Sequence, residues 1–94
     1  MDVSLSSVVR RRVGVLSTRI DDELVLLDDA TAVYHGLDPV GARVWEYLDG
    51  EVTLREICDR LTAEFDVERS RCEDEVLAFA VDLAGAGLAE VDAP

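Results

Sequence analysis

The sequence has no lysine: all nine of its basic residues are arginine, they face 21 acidic residues, and the formal charge is −12. Affinity for nucleic acid rests largely on cations that displace condensed counterions, so nucleic acid is not an expected partner. The one local run of positive charge, Arg10, Arg11 and Arg12, reads as a solvated strand end neutralised by nearby carboxylates. Metal ligands are scarce as well. There is one histidine, His35, and two cysteines, Cys58 and Cys72, with no CxxC spacing, so no metal site is expected. A cytoplasmic setting argues against pairing the two thiols, and both are expected free. No apolar run is long enough to span a bilayer, and no membrane partner is expected. "MDVSLSSVVRRR" has no apolar stretch ahead of its arginines, so it is not read as a secretory signal, and cytoplasmic localisation is the expectation.

Catalytic motifs are missing too. There is no Gly-rich phosphate loop, no G-x-S-x-G and no H-E-x-x-H. A Cys/His pair built from His35 and Cys72 is conceivable, because such groups need only meet in space. No supporting motif surrounds it, and Glu73 and Asp74 read as a solvated helix face rather than an acid–base pair. The chain is therefore expected not to be an enzyme and to carry no cofactor.

What is present is a core. Apolar residues make up 49% of 94 residues, which is enough for one small domain and too little for two. Residues 1–12 are expected to form a flexible arm, and 13–94 a single domain. "VGVLSTRI" from Val13, "ELVLLDD" from Glu23 and "TAVYHGL" from Thr31 alternate in strand fashion around acidic turns, which predicts a three-stranded antiparallel meander. With the second turn placed at 28–31, Leu27 opposes Ala32, Val25 opposes Tyr34 and Leu24 opposes His35.

Asp38-Pro39 then ends the strands and starts a helix. The aspartate can accept orphan amide protons of the first turn, and proline at the first helical position has no amide to waste. Val40, Val44, Tyr47 and Leu48 follow at helical spacing, with Trp45 expected in the core and Gly50 as a left-handed terminator. Thr53 and Glu56 form a capping box for a second helix, with Leu54, Ile57, Cys58, Leu61 and Phe65 along one face and Arg55/Asp59 and Glu56/Arg60 as outward ion pairs. A third helix is expected from Asp66 or Ser70, the latter in a second box with Glu73, to the "AGAG" at 84–87, followed by a short "LAEV" tail. Its apolar residues wrap beyond a single stripe, so it is either central to the core or packs on one side and lines an apolar groove on the other. The fold class is α+β: a three-stranded antiparallel sheet followed by three helices.

"VLLDDATAVYHGLDPVGARVWEYLDGEVTLREICDRLTAEF" followed by "EDEVLAFAVDLAGAGL" resembles the PqqD-like family, the prototype of the RiPP precursor peptide recognition element. The "Y-x-G-L-D-P-x-G-A-x-x-W" junction and the "T-x-x-E-I" helix start carry the likeness, which extends from about Val13 to Val91. The resemblance implies a winged-helix-like domain that binds the leader segment of a ribosomal precursor peptide and presents it to a leader peptidase or another RiPP-processing enzyme. The form of the chain is most similar to stand-alone leader-binding proteins of lasso peptide pathways. The alternatives are a chaperone for a radical SAM enzyme in pyrroloquinoline quinone or related biosynthesis and, from another class, a winged-helix DNA-binding regulator.

In that family the leader adds as a strand beside the third strand, in a groove closed by the third helix. Carried over, the strand side is Thr31, Ala32, Val33, Tyr34, His35 and Gly36, and the helix side is Cys72, Glu75, Val76, Phe79 and Leu83. The residues themselves point the same way, since "TAVYHG" has no lysine, proline or other guard against strand addition. Tyr34 is read either as a cover for the sheet or as a groove residue, and His35 either as an exposed strand residue or as a polar contact to the leader.

Overall fold

The computed structural model describes residues 3–28 and 31–92. Asp29 and Ala30 of the expected second turn, and the extreme ends of the expected arm and domain, lie outside the described residues. The elements run β1 (Val8–Arg11), β2 (Val15–Ile20), β3 (Glu23–Asp28), β4 (Val33–Leu37), α1 (Pro39–Tyr47), β5 (Asp49–Thr53), α2 (Leu54–Glu64), α3 (Arg69–Gly85) and β6 (Ala89–Asp92). The architecture is mixed α and β, as expected, but there are two antiparallel three-stranded sheets, ordered β5-β1-β6 and β2-β3-β4. The expected meander is the second of them.

The first sheet revises three sequence assignments. Val8–Arg11, expected within a flexible arm, form the central strand β1, and Val9 is buried beneath it. The segment between the first two helices is strand β5, in which Gly50 takes φ +82 and a Cβ there would lie 3.2 Å from the Cβ of Arg10. Glycine is required at that position both by the left-handed backbone and by the close approach of β1. The "LAEV" tail completes the sheet as β6, with Val9 opposite Val91. The order is thus not simply sheet and then helices.

In the second sheet β4 pairs with β3 two residues out of the expected register: Leu27 opposes Tyr34, Leu26 opposes His35 and Leu24 opposes Leu37. A slip of two leaves every side chain on its expected face, because the strand repeat is two. The cause is the turn. Asp28 remains in β3 and its carbonyl accepts the Ala32 amide at 2.7 Å, while Ala32 adopts φ +56, so Thr31 and Ala32 belong to the turn rather than to the strand.

Asp28 is the only charged side chain buried among the described residues, and Arg12 meets it at 2.7 Å. The Nε of Arg12 also donates to the Gly87 carbonyl. One guanidinium therefore links the end of β1, the α3–β6 connection and the end of β3, joining the two sheets at a point beside the entry to β4.

Both helix starts form as the sequence predicts. Asp38 accepts the Gly41 amide at 2.7 Å with Pro39 opening α1, and Thr53 and Glu56 complete a capping box on α2. The Ser70–Glu73 box does not form. Helix α3 starts earlier, with Glu68 as its cap, and Glu73 is taken by Arg69, which also reaches Asp59 at 2.5 Å. Asp59, expected to pair with Arg55, thus ties α2 to α3. On the outside of the helices Arg43 of α1 bonds Glu64 of α2 and holds that carboxyl below its usual range.

The core lies where the three helices meet the inner face of β3 and one side of β1 and β6. Leu26, Leu48, Leu54, Ile57, Leu61, Leu88 and Val9 are almost wholly excluded from solvent, and Trp45 is buried with them. Helix α3 buries Cys72, Val76, Ala80 and Leu83, a single stripe at helical spacing. Its remaining large apolar residues lie off that stripe. No described helix is long and apolar enough to cross a membrane.

Candidate functional site: a strand edge beside an apolar groove

Strand β4 lies at one edge of its sheet, so one side of its backbone has no strand partner among the described residues. Side chains alternate across it. Leu37 is buried and His35 half-buried on the same face as their cross-strand partners Leu24 and Leu26, whereas Tyr34 is 68% exposed on the other face. The edge stays open because α1 leaves the strand at Asp38 and turns beneath the sheet, packing on β3 and β4. No lysine or proline guards it.

A groove of about 280 Å³ opens at the C-terminal end of this edge. Gly36, Leu37 and Asp38 form its strand side, Val40, Gly41 and Val44 of α1 and Leu61 of α2 its base, and Val67 with Cys72, Glu75, Val76 and Phe79 of α3 its far wall. Much of the off-stripe apolar surface of α3 is thereby used: Phe79, half-buried, faces the groove. Gly41 sits at the first turn of α1, facing the Phe79 ring. A Cβ there would sit 3.2 Å from the capping carboxylate of Asp38 and 3.8 Å from the Phe79 ring.

Of the residues the sequence singled out, Gly36, Cys72, Glu75, Val76 and Phe79 meet around this groove. Val33, Tyr34 and His35 lie along the same edge strand, outside the groove itself. Thr31 and Ala32 occupy the preceding turn, and Leu83 is buried in the core without lining the groove. Sequence reasoning missed Leu37, Asp38, Val40, Gly41, Val44, Leu61 and Val67. A signal for some of them is present in "GLDPVGARV", where apolar residues flank the helix start, but by itself that stretch specifies only where α1 begins.

The two cysteines are free and buried, Cys58 on α2 and Cys72 on α3. Burial, reinforced by the neighbouring Cys72, pushes the Cys58 thiol up to about 12. It therefore stays protonated near neutrality and is a packing group rather than a nucleophile. His35 does not line the groove that Cys72 borders. Among the described residues no cluster of His, Cys, Asp and Glu could hold a metal ion.

An open strand edge running into an apolar cleft is the geometry of a module that takes an extended peptide by strand addition. Comparison with known proteins assigns the family: the model for coenzyme PQQ synthesis protein D (PqqD) matches residues 23–89, and the chain belongs to this family. No curated protein gives a significant match. Two solved structures are similar over nearly the whole chain. "TbiB1 in Complex with the TbiA(beta) Leader Peptide" is 39% identical with a TM-score of 0.78, covering 90% of this chain and 99% of that one. "Lasso peptide synthetase B1 complexed with the leader peptide" is 26% identical with a TM-score of 0.78, covering 88% and 98%.

Proposed function

We propose that this protein is a non-catalytic leader-peptide-binding protein of ribosomal peptide biosynthesis, acting in a lasso peptide pathway. The observation that carries the reading is the unguarded edge of β4 running into the groove bounded by α3, in a fold shared at 39% identity with a protein solved with its leader peptide bound. The leader adds antiparallel to β4, its backbone bonding alternate amides and carbonyls of residues 33–37. Each such bond contributes about 0.5–1.5 kcal/mol net. One or two apolar side chains entering the groove add about 1.5–3 kcal/mol apiece, offset by several kcal/mol for ordering the peptide. Only the upper end of these ranges reaches a dissociation constant of roughly micromolar to tens of nanomolar. The bound leader is presented to a cytoplasmic leader peptidase or another RiPP-processing enzyme, which supplies the chemistry. The peptide-bound form of both similar structures favours this reading over a DNA-binding regulator, and so does the charge of −12.

The experiment is a titration, by fluorescence anisotropy, with the TbiA(beta) leader peptide and a scrambled peptide of the same composition. Saturable binding of the leader alone is expected. Proline substitution along β4 provides the geometric control. Of the neighbouring pair Val33→Pro and Tyr34→Pro, the one whose amide faces the free edge weakens binding with the fold retained, while the other disrupts pairing to β3. Indistinguishable curves for leader and scrambled peptide would rule the reading out.

A further inference from the structure

The base of the groove is apolar, but its charged lining is of one sign. Asp38 and Glu75 border it from opposite sides, one at the end of β4 and one on α3, and no basic residue lines it. A third carboxylate stands on the outer face of the same sheet, outside the groove lining: the Glu23 Oε2 lies 3.4 Å from where a Cβ on Gly36 would be. The nearest compensation is Arg71, which bonds Glu75 at 3.0 Å, but its side chain is 78% exposed and free to give way to a competing cation. The rest of the molecule reinforces the local bias with its charge of −12. A peptide strand laid along β4 would bring residues on either side of its groove anchor past these carboxylates.

We infer that this site selects peptides carrying lysine or arginine within about two residues of the apolar side chain that enters the groove. The inference rests on the peptide-binding reading above and adds the chemistry of the ligand. Apolar contacts in the groove fix the register, while the carboxylate rim discriminates between peptides of similar hydrophobicity by attracting cations and repelling acidic flanks. The field of the whole protein acts in the same direction on the association rate.

The test uses synthetic twelve-residue peptides with one central leucine, flanked on both sides by lysine, alanine or glutamate, titrated against the full chain. At 50 mM NaCl the lysine-flanked peptide is expected to bind about tenfold more tightly than the glutamate-flanked one, the gap narrowing to about twofold at 500 mM as the charges are screened. The double variant Asp38→Asn, Glu75→Gln removes both lining charges. Asparagine still caps α1, and circular dichroism verifies the fold. In this variant the lysine-to-alanine affinity ratio is expected to fall toward one; losing two carboxylates takes the formal charge from −12 to −10, which keeps the ratio slightly above. Equal affinity for all three flanks in the parent protein, or a ratio unchanged in the double variant, overturns the inference while leaving peptide binding intact. Failure of every flank to bind, where the TbiA(beta) leader binds, overturns this inference alone, whereas failure of that leader as well overturns the peptide-binding reading along with it.

Discussion

Arg12 and Cys58 show how much a single side chain does in a domain of this size. The Arg12 guanidinium meets a carboxylate with only 6% of its side chain exposed, and breaking a buried ion pair by removing one partner typically costs about 3–5 kcal/mol. Arg12 is itself part-exposed and Asp28 keeps other contacts, so Arg12→Ala is expected to destabilise by about 1–3 kcal/mol in urea denaturation. Because the pair sits beside the β3–β4 turn, a larger loss of protection from hydrogen exchange is expected in β4 than in α2. Cys58 predicts an alkaline effect. Its thiol ordinarily ionises near 9.0 and holds its proton to about 12 in the fold, so above pH 9 the unfolded chain binds fewer protons than the native one. Stability is therefore fully retained below pH 9 and falls as pH rises toward 12, by up to about 1.4 kcal/mol per pH unit from this group. A Cys58→Ala variant, followed by the same denaturation at pH 8 and 10.5, is expected to show the shallower fall.

At the scale of elements, what the sequence revealed depended on whether the signal was local. The helix starts at Asp38-Pro39 and Thr53 were legible because a cap is decided within four residues, and each forms as written. Thr53→Ala is accordingly expected to cost about 1 kcal/mol and Thr53→Ser much less, read as shifts in urea midpoint. The Ser70 box had the same local pattern, but α3 begins at Arg69, so Ser70 lies inside the helix, and Glu73 pairs with Arg69, which also reaches Asp59 across to α2. Strand β4 was legible as a strand, yet its first two expected residues went to the turn. Their fate was set by Asp28, whose carboxylate meets Arg12, sixteen residues away in the chain, and whose carbonyl takes the Ala32 amide.

The whole molecule holds the largest difference between sequence and structure. Strands of four and five residues such as VVRR and DGEVT show no period that a reader can separate from a loop; β5 pairs with β1, and β1 lies between β5 and β6. The groove was half legible for a similar reason. The α3 wall showed itself as an excess of apolar residues, whereas the base contributed by Val44 and Leu61 looked like ordinary core. Because β1 is the central strand between β5 and β6 and carries both Val9 and the approach to Arg12, deletion of residues 1–12 is expected to abolish cooperative folding. Loss of the thermal transition in circular dichroism is the readout, where a dispensable arm would leave it unchanged.

The outer face of the second sheet completes the description. Leu16, Leu27 and Tyr34 align across β2, β3 and β4 on the side away from the helices, and Leu16, Ile20 and Tyr34 are more than half exposed. A larger protein would lay a helix over such a face. Among the described residues no helix covers it, and a formal charge of −12 opposes self-association across it. That protection disappears as the solution approaches the sequence pI of about 4.2. The acidity proposed to select peptides at the groove would thus also oppose contact between uncovered sheets.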